Sequence, residues 1–217
     1  FWRKNRRLNV DGTRGVDLNR NYDYEFGYDN NGSSPNPSSE VYRGTHGFSE
    51  PETQAVKLFC EQHQFQFALN YHTYSNLLIY PWGYIPSLLT PDSDLFIETA
   101  KHMTEFNHYQ YGTANQTVGY VVNGSSDDWM YGQQSSKNII FAMSPEAGTS
   151  IDGFYPTKTR ITPICNENVI PNLRCAQQLL GQIKLTSTQQ DYIKTLSGYF
   201  HYRVAPLGIP SGNNYTV

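Results

Sequence analysis

The chain has 217 residues, of which 38% are hydrophobic and 16% are charged, and its formal net charge is -3 at pH 7. These proportions exclude a disordered chain and predict a globular protein with a sizeable core. The charge gives no electrostatic reason to expect a nucleic-acid partner, and the longest apolar runs are too short to span a bilayer.

The first third of the chain predicts loops followed by one helix. Residues 1–20 are polar and basic, and residues 29–36 are rich in Asn, Gly, Ser and Pro, as surface loops are. Ser49 and Glu52 form a predicted capping box that begins a helix. Apolar side chains follow at helical spacing, namely Val56, Phe59 and Cys60. That helix leads into the alternating run 65–69, a predicted strand.

The middle of the chain alternates strands with helices. Residues 77–80 and 138–143 predict short buried strands, the second of them stopped by Pro145, and residues 93–108 predict a helix. A late helix has a predicted apolar stripe, formed by Val169, Leu173, Ala176, Leu180 and Ile183. This alternation predicts an α/β fold with a mixed, mostly parallel central sheet and helices on both faces.

The ends of the chain and its cysteines leave alternatives open. The pattern changes after residue 184, so residues 185–217 are an extension or the start of a β-rich accessory domain. Cys60 is predicted to be a buried free thiol. Cys165 and Cys175 flank a predicted helix start and could pair. The first residues carry neither Met nor a signal-peptide pattern, and we interpret the chain as the interior of a longer precursor.

His72 is the candidate metal ligand. It follows the predicted strand 65–69, and the carboxyl ends of strands are where open α/β sheets bind their ligands. Considered alone, a histidine at a strand end is more often structural. The surrounding Tyr71-His72-Thr73-Tyr74-Ser75 changes that interpretation because other segments accompany it.

Five segments, in the same order, resemble those of the zinc metallocarboxypeptidases. The resemblance is to the carboxypeptidase A/B type, closest to bacterial carboxypeptidase T-like enzymes, which remove single residues from the C-terminus of peptides. The segments are Trp2-Arg3, Asp17-Leu18-Asn19-Arg20, the segment around His72, Tyr120 and Pro145-Glu146. The resemblance covers residues 1–184 and implies the C-terminal larger part of a carboxypeptidase domain, incomplete at its N-terminus.

The resemblance implies one zinc ion, with His72 as the third ligand. A catalytic zinc polarises a carbonyl group and lowers the pKa of its bound water. In the family the other two ligands belong to a His-x-x-Glu motif, which occurs nowhere in this sequence. We therefore expect that motif upstream of Phe1.

The same resemblance assigns the groups that carry out the reaction. Glu146 matches the general base, and its apolar neighbours predict partial desolvation, which raises proton affinity; an ordinary loop acid is the alternative. Arg3 matches the arginine that stabilises the oxyanion, and a solvated basic cluster is its alternative. Asp17 matches the carboxylate that orients the upstream zinc histidine.

Four further residues are assigned to substrate binding. Asn19 and Arg20 resemble the clamp for the terminal carboxylate, which a guanidinium can hold through two parallel hydrogen bonds. Tyr120 matches the tyrosine that closes over the substrate. Asp127 occupies the position where B-type enzymes carry an acid, which would favour C-terminal Lys or Arg by charge pairing. Asp127 could instead face solvent or pair internally.

These assignments predict a secreted or periplasmic zinc exopeptidase acting on the C-termini of peptides or proteins. We expect no nucleic-acid or membrane partner, and the sequence leaves the oligomeric state open. One alternative is a non-catalytic relative that captures C-terminal peptides. Another is a fragment that is inactive without the missing zinc ligands. With one protein ligand, the chain alone is expected to bind zinc weakly or not at all.

Overall fold

The computed structural model describes residues 2–179, 183–187 and 202–206. Its elements, in chain order, are a 3-10 helix Leu18–Arg20, α1 Pro51–Gln62, β1 Phe67–Leu69, β2 Leu77–Ile79, α2 Ser93–Thr104, β3 Gln110–Gly112, α3 Ala114–Thr117, α4 Ser126–Gly132, β4 Phe141–Glu146, α5 Lys158–Glu167, α6 Val169–Gln178, β5 Ile183–Ser187 and β6 Tyr202–Pro206.

A four-stranded sheet in the order β1-β4-β2-β3 forms the centre of the fold. β1 pairs in parallel with β4, β2 pairs in parallel with β3, and β2 and β4 are antiparallel. The predicted mixed, mostly parallel sheet is therefore confirmed. β5 and β6 form a separate antiparallel pair. The remaining residues of 185–217 lie outside the described residues, so their assignment to an extension or a second domain stays a prediction.

Helices cover both faces of the sheet, which explains why β4 begins with the continuous apolar run Phe141-Ala142-Met143. Alternate side chains of a strand point to opposite faces. Phe141 and Met143 pack into one core cluster with α2 and α6, whereas Ala142 packs into a second cluster with α1 and α4. A strand buried on both faces has a continuous apolar run in place of an alternating one.

Two predicted element boundaries are wrong. α1 begins at Pro51, with Glu50 as the N-cap residue and no side-chain cap. The Ser49 hydroxyl donates a hydrogen bond of 2.6 Å to the Glu50 carboxylate, so the predicted capping box does not form. α2 ends at Thr104, not at residue 108, and His108 has a positive φ of 58°.

β4 does not stop at Pro145, contrary to the prediction. The strand continues to Glu146, with Pro145 opposite Leu78 of β2. Proline lacks an N–H group to donate, but its carbonyl can still accept. The Pro145 carbonyl accepts a 2.8 Å hydrogen bond from the His72 N–H. This contact carries the strand pairing to the site residues.

The predicted apolar stripe of the late helix is also wrong. α6 ends at Gln178, and Ile183 belongs to β5; Leu180 lies outside the described residues. The buried side chains of α6 are Pro171, Cys175 and Gln178. The side chains of the predicted stripe face outward, with Val169 49% and Leu173 55% exposed.

All three cysteines are free. Cys60 is buried, which confirms the predicted buried thiol. Cys165 is exposed and Cys175 is buried, so the pairing that the sequence left open is not formed. Within the described part of the chain, no helix is both long enough and apolar enough to cross a membrane.

Candidate active site

A cleft of about 520 Å³ lies beside the carboxyl ends of β1 and β4. Seven of the eight predicted site residues line it, namely Arg3, Asn19, Arg20, His72, Tyr120, Asp127 and Glu146. The eighth, Asp17, is buried next to the two arginines. Residues separated by more than 140 positions in the chain therefore meet at one surface.

Strand register brings His72 and Glu146 side by side. β1 pairs with β4 so that Phe67 lies opposite Phe141, and the same offset makes His72 the partner of Glu146. The Ala147 N–H donates a 2.9 Å hydrogen bond to the His72 carbonyl. Because paired residues of neighbouring strands project to the same face, the imidazole and the carboxyl group enter the cleft together.

Burial tunes the Glu146 carboxyl group for proton transfer. Burial disfavours the ionised form and raises the pKa of Glu146 to about 7, opposed by the positive charge of Arg3. The Oε2 atom is buried and has no hydrogen-bond partner. A carboxyl group with such a pKa can both accept and release a proton near neutral pH.

His72 presents a neutral imidazole to the cleft. Burial lowers the pKa of His72, against the opposing charge of Asp127, and the neutral ring is the form that binds metal. Its Nε2 atom lies 3.4 Å from the Asn19 side-chain nitrogen. Within residues 2–179, 183–187 and 202–206, no three His, Cys, Asp or Glu side chains are grouped as metal ligands. These residues therefore do not fit a complete zinc site.

Two guanidinium groups flank one buried carboxylate at the cleft. Arg3 donates a 2.7 Å hydrogen bond from Nη2 to Asp17 Oδ2, and the Arg20 Nη1 atom is 3.9 Å from the same oxygen. Asp17 also accepts from the Asn19 N–H, which caps the short helix Leu18–Arg20. The sequence predicted that Asp17 orients a zinc-binding histidine upstream of this chain. Among the residues present, the Asp17 carboxylate pairs with Arg3.

Arg20 lines the cleft and has one donor without a partner. Its side chain is buried, and burial lowers its pKa against the opposing charge of Asp17. Nη1 donates to the Asn19 carbonyl at 2.8 Å, but Nε is buried and has no partner. Arg20 therefore lines the cleft as a buried cation, and its guanidinium can attract an anion that enters there.

Asn19 and Tyr120 differ in how firmly they are held. The Asn19 side-chain oxygen accepts a 2.9 Å hydrogen bond from the Ser126 N–H at the start of α4, which fixes the amide and directs its nitrogen to His72. Tyr120 is 54% exposed at the cleft. The first residue is a rigid contact, whereas the second is accessible to a ligand.

Asp127 pairs internally. Its Oδ1 atom accepts a 2.5 Å hydrogen bond from the Asn70 side chain, and its Oδ2 atom accepts a 2.6 Å hydrogen bond from the Ser144 hydroxyl. Burial raises the pKa of Asp127, and both donors oppose that shift. The sequence left open whether Asp127 faces the substrate, faces solvent or pairs internally. In the structure Asp127 pairs internally, and it also lines the cleft.

Three residues near the site escaped the sequence analysis. Asn70 precedes His72 by two positions and Ser144 precedes Glu146 by two, so the period of a strand places each pair on one face. That period could have identified both. Asp128 accepts hydrogen bonds from the Gly83 and Tyr84 N–H groups, and burial raises its pKa to about 7. No local pattern predicts that contact.

Comparison with known proteins gives a consistent result. The model of the zinc carboxypeptidase family matches residues 1–170. Mast cell carboxypeptidase A of Rattus norvegicus is 35% identical over 179 residues, which cover 78% of this chain and 42% of that protein. Carboxypeptidase A1 of Bos taurus is 32% identical over 191 residues, with coverages of 84% and 44%. The chain thus spans less than half the length of these curated relatives.

Solved structures share the fold. Bovine thrombin-activatable fibrinolysis inhibitor, in complex with tick carboxypeptidase inhibitor, superposes with a TM-score of 0.70 at 26% identity, covering 82% of this chain and 61% of that one. Carboxypeptidase A of Helicoverpa armigera also gives a TM-score of 0.70, with coverages of 80% and 45%; at 21% identity it supports the fold alone. The family match extends over most of the sequence, and the chain belongs to the zinc carboxypeptidase family.

Proposed function

We propose that the intact protein is a zinc-dependent carboxypeptidase that hydrolyses the last peptide bond of peptides or proteins. This chain would supply the surface that binds the terminal carboxylate and the groups that move the proton. One observation carries the proposal: His72 and Glu146 are paired in strand register beside Arg3 and Arg20 in one cleft.

Binding of the substrate carboxylate would fall to Asn19, Arg20 and Tyr120. The Arg20 guanidinium, which lines the cleft, offers a charge-assisted hydrogen bond. Asn19 adds an amide N–H from a fixed position, and the exposed Tyr120 side chain can close over the bound terminus. A free carboxylate is the feature that distinguishes a C-terminal residue from an internal one, so this clamp would select the last peptide bond.

Proton transfer would fall to Glu146. With a pKa of about 7, its carboxylate accepts a proton from the attacking water and can return it to the leaving amine. Arg3 would stabilise the negative charge that develops on the carbonyl oxygen. One nitrogen of Arg3 binds Asp17, and its half-exposed guanidinium keeps further N–H donors for a ligand.

The metal contribution rests on the family relationship. Zinc, when bound, polarises the scissile carbonyl and activates water. His72 would be one of its ligands. Because the described residues group no three ligands together, the complete site needs groups beyond them, and we derive no step at the metal. A secreted or periplasmic location also remains a prediction.

The test measures release of the last residue from peptides with a free or an amidated C-terminus. The enzyme is the protein that the natural coding sequence encodes. We expect release of the last residue only from the free form. Glu146→Gln should lower kcat by about 100-fold or more, the contribution expected of a general base, with the dissociation constant of the peptide little changed. Glu40→Gln, at an exposed position, is the matched control. Unaltered turnover in the Glu146 variant would contradict the proposal.

A second candidate function is C-terminal peptide capture without hydrolysis. The observation that favours it is the presence of the arginine clamp in a chain whose described residues form no metal cluster. Free-carboxylate peptides that bind with no turnover, in an intact protein that lacks stoichiometric zinc, would support this candidate over the enzyme.

A further inference from the structure

The first fourteen residues carry a strong positive charge in a chain that is acidic overall. They include five Lys or Arg side chains and one acid, Asp11, whereas the whole chain has a net charge of -3. Asp11 lies in the turn of a hairpin, where it accepts hydrogen bonds from the Thr13 N–H and hydroxyl groups. A positive segment of this kind attracts anionic partners more strongly than the total charge of the chain suggests.

Three of the five basic side chains are already engaged within the fold. Arg3 pairs with Asp17, and Arg7 pairs with the buried Glu50. Lys4 is itself buried and donates hydrogen bonds of 2.9 and 3.0 Å to two loop carbonyls. These contacts attach the segment to the rest of the protein and leave two guanidinium groups.

The two remaining arginines share the solvent-facing side of the hairpin. Leu8 bridges Arg14 in the antiparallel sense, and cross-strand partners project to the same face. Arg6 precedes Leu8 by two residues, so the period of a strand places it on that face as well, opposite to Arg7. All three are exposed. Among the described residues, neither Arg6 nor Arg14 has a partner in an ion pair.

This side of the hairpin begins at the mouth of the cleft. Arg3 lines the cleft, and Trp2 beside it is 45% exposed. The Arg6 guanidinium lies over the Trp2 ring, 4.4 Å from its centroid, and this cation–π contact holds the charge in place. Three residues of chain span at most about 10 Å. A peptide that leaves the cleft past Arg3 can therefore reach Arg6 within about three residues.

We propose that the solvent-facing side of the hairpin binds acidic residues that lie upstream of the scissile bond in an extended substrate. We call it the basic face, formed by Trp2, Arg6, Leu8 and Arg14. Arg6 and Arg14 are diagonal neighbours across the hairpin, with Cβ atoms about 7 Å apart. Alternate residues of an extended peptide are separated by nearly the same distance, about 6.6 Å. Two carboxylates spaced two residues apart can thus each meet one guanidinium group.

This assignment rests on the proposed function, which places the scissile bond in the cleft, and it names a substrate class. The favoured peptides carry acidic residues roughly three and five positions before that bond. An acidic peptide fits the face better than other polyanions do. Leu8 lies between the two arginines and is 61% exposed, and a peptide has apolar side chains to cover it, whereas a sulfated polysaccharide has none.

Matched peptides test the charge requirement. Two peptides share their last two residues and differ upstream, one with Glu three and five positions before the scissile bond and the other with Gln. With the protein that the natural coding sequence encodes, we expect KM to be at least about threefold lower for the Glu peptide at low salt, because two exposed ion pairs form. The value of kcat should be the same. The difference should disappear at about 0.5 M salt. Equal KM values at low salt would overturn the inference.

Substitution of the two exposed arginines locates the effect. Arg6→Gln and Arg14→Gln should each remove part of the discrimination, and the double variant all of it, with kinetics on the Gln peptide unchanged. Lys101→Gln, at an exposed position of α2, is the matched control for a lost positive charge and should keep the discrimination. A double variant that still prefers the Glu peptide would reject the basic face. So would arginine-dependent retention on a heparin column by a protein that treats the two peptides alike.

Binding is measured separately from turnover, by isothermal titration in a Glu146→Gln background that leaves the peptides uncleaved. Tighter binding of the Glu peptide, with no turnover in the wild type, would reject the proposed function and leave the basic face as a peptide-binding surface. Turnover of both peptides with equal affinity would keep the proposed function and reject the basic face.

Discussion

Burial, more than any neighbouring charge, sets the proton affinity of Glu146 at the residue scale. Its folded-state pKa is about 7 against an ordinary value of 4.5. The folded state thus binds more protons than the unfolded state between these values, and the free energy of unfolding should fall as pH rises through that window. Glu146→Gln removes this contribution, so the variant's stability relative to wild type should increase from about pH 4.5 to about pH 7.

Urea unfolding of the 217-residue chain at a series of pH values measures this difference. Asp128 also has a pKa raised to about 7 by burial, so the wild-type profile alone is not diagnostic. The wild-type-minus-variant difference isolates Glu146. A difference that does not vary with pH would show that Glu146 has an ordinary pKa in the folded chain.

A second prediction at the residue scale concerns Asp127 and the preference for the C-terminal side chain. If its carboxylate governs the terminal side chain, Asp127→Ala should lower kcat/KM for C-terminal Lys relative to Phe and Leu, by about tenfold for the loss of one buried charge pair. Both carboxylate oxygens already accept hydrogen bonds from Asn70 and Ser144, which weakens the basis for a basic preference. Release of the three residues by the intact protein measures it, and an unchanged Lys preference would reject the pocket assignment.

At the element scale, a buried leucine of the sheet can be compared with an exposed leucine of α6. Leu78 of β2 is 2% exposed, whereas Leu173 of α6 is 55% exposed. In the 217-residue chain, Leu78→Ala should cost about 2–5 kcal/mol of unfolding free energy and Leu173→Ala less than about 0.5 kcal/mol. Urea denaturation compares them. A large cost at Leu173 would mean that α6 packs against something within this chain.

Element boundaries also mark what the sequence could and could not predict. The alternation of predicted strands with predicted helices along the chain was enough to predict a mixed, mostly parallel sheet. The predicted strand end at Pro145 was wrong because proline lacks only the N–H donor. Its carbonyl still accepts a hydrogen bond from the His72 N–H. The stripe Val169, Leu173 and Ala176 predicted a buried face, and the structure exposes it. Periodicity reports that a face is apolar without identifying what covers it.

At the scale of the whole molecule, the site is formed by segments far apart in the chain. Resemblance identified seven of the residues that line the cleft, but not the contacts among them. The pairing of Arg3 with Asp17 and of Asp127 with Asn70 and Ser144 depends on tertiary packing. Spacing along the chain can place Asn70 and Ser144 on the same face as the site residues, but it does not show that Asp127 is their partner. The register that aligns His72 with Glu146 follows from β1 and β4 only once their pairing is known.

Metal content is the prediction that belongs to this scale. The 217-residue chain should hold no stoichiometric zinc after dialysis, because one histidine is a weak site and catalytic zinc uses three protein ligands. The protein that the natural coding sequence encodes should, on the proposed function, hold one zinc ion. Native mass spectrometry measures both. Tightly bound zinc in the 217-residue chain would show that its own residues complete a site.

Binding of a free C-terminus tests the central claim most directly. Isothermal titration of the 217-residue chain compares one peptide as its free acid and as its C-terminal amide, with Arg20→Ala beside the wild type. We expect the acid to bind at least about tenfold more tightly, as a charge-assisted hydrogen bond provides, and the Arg20 variant to lose that discrimination. Equal affinity for acid and amide in the wild-type chain would contradict the account.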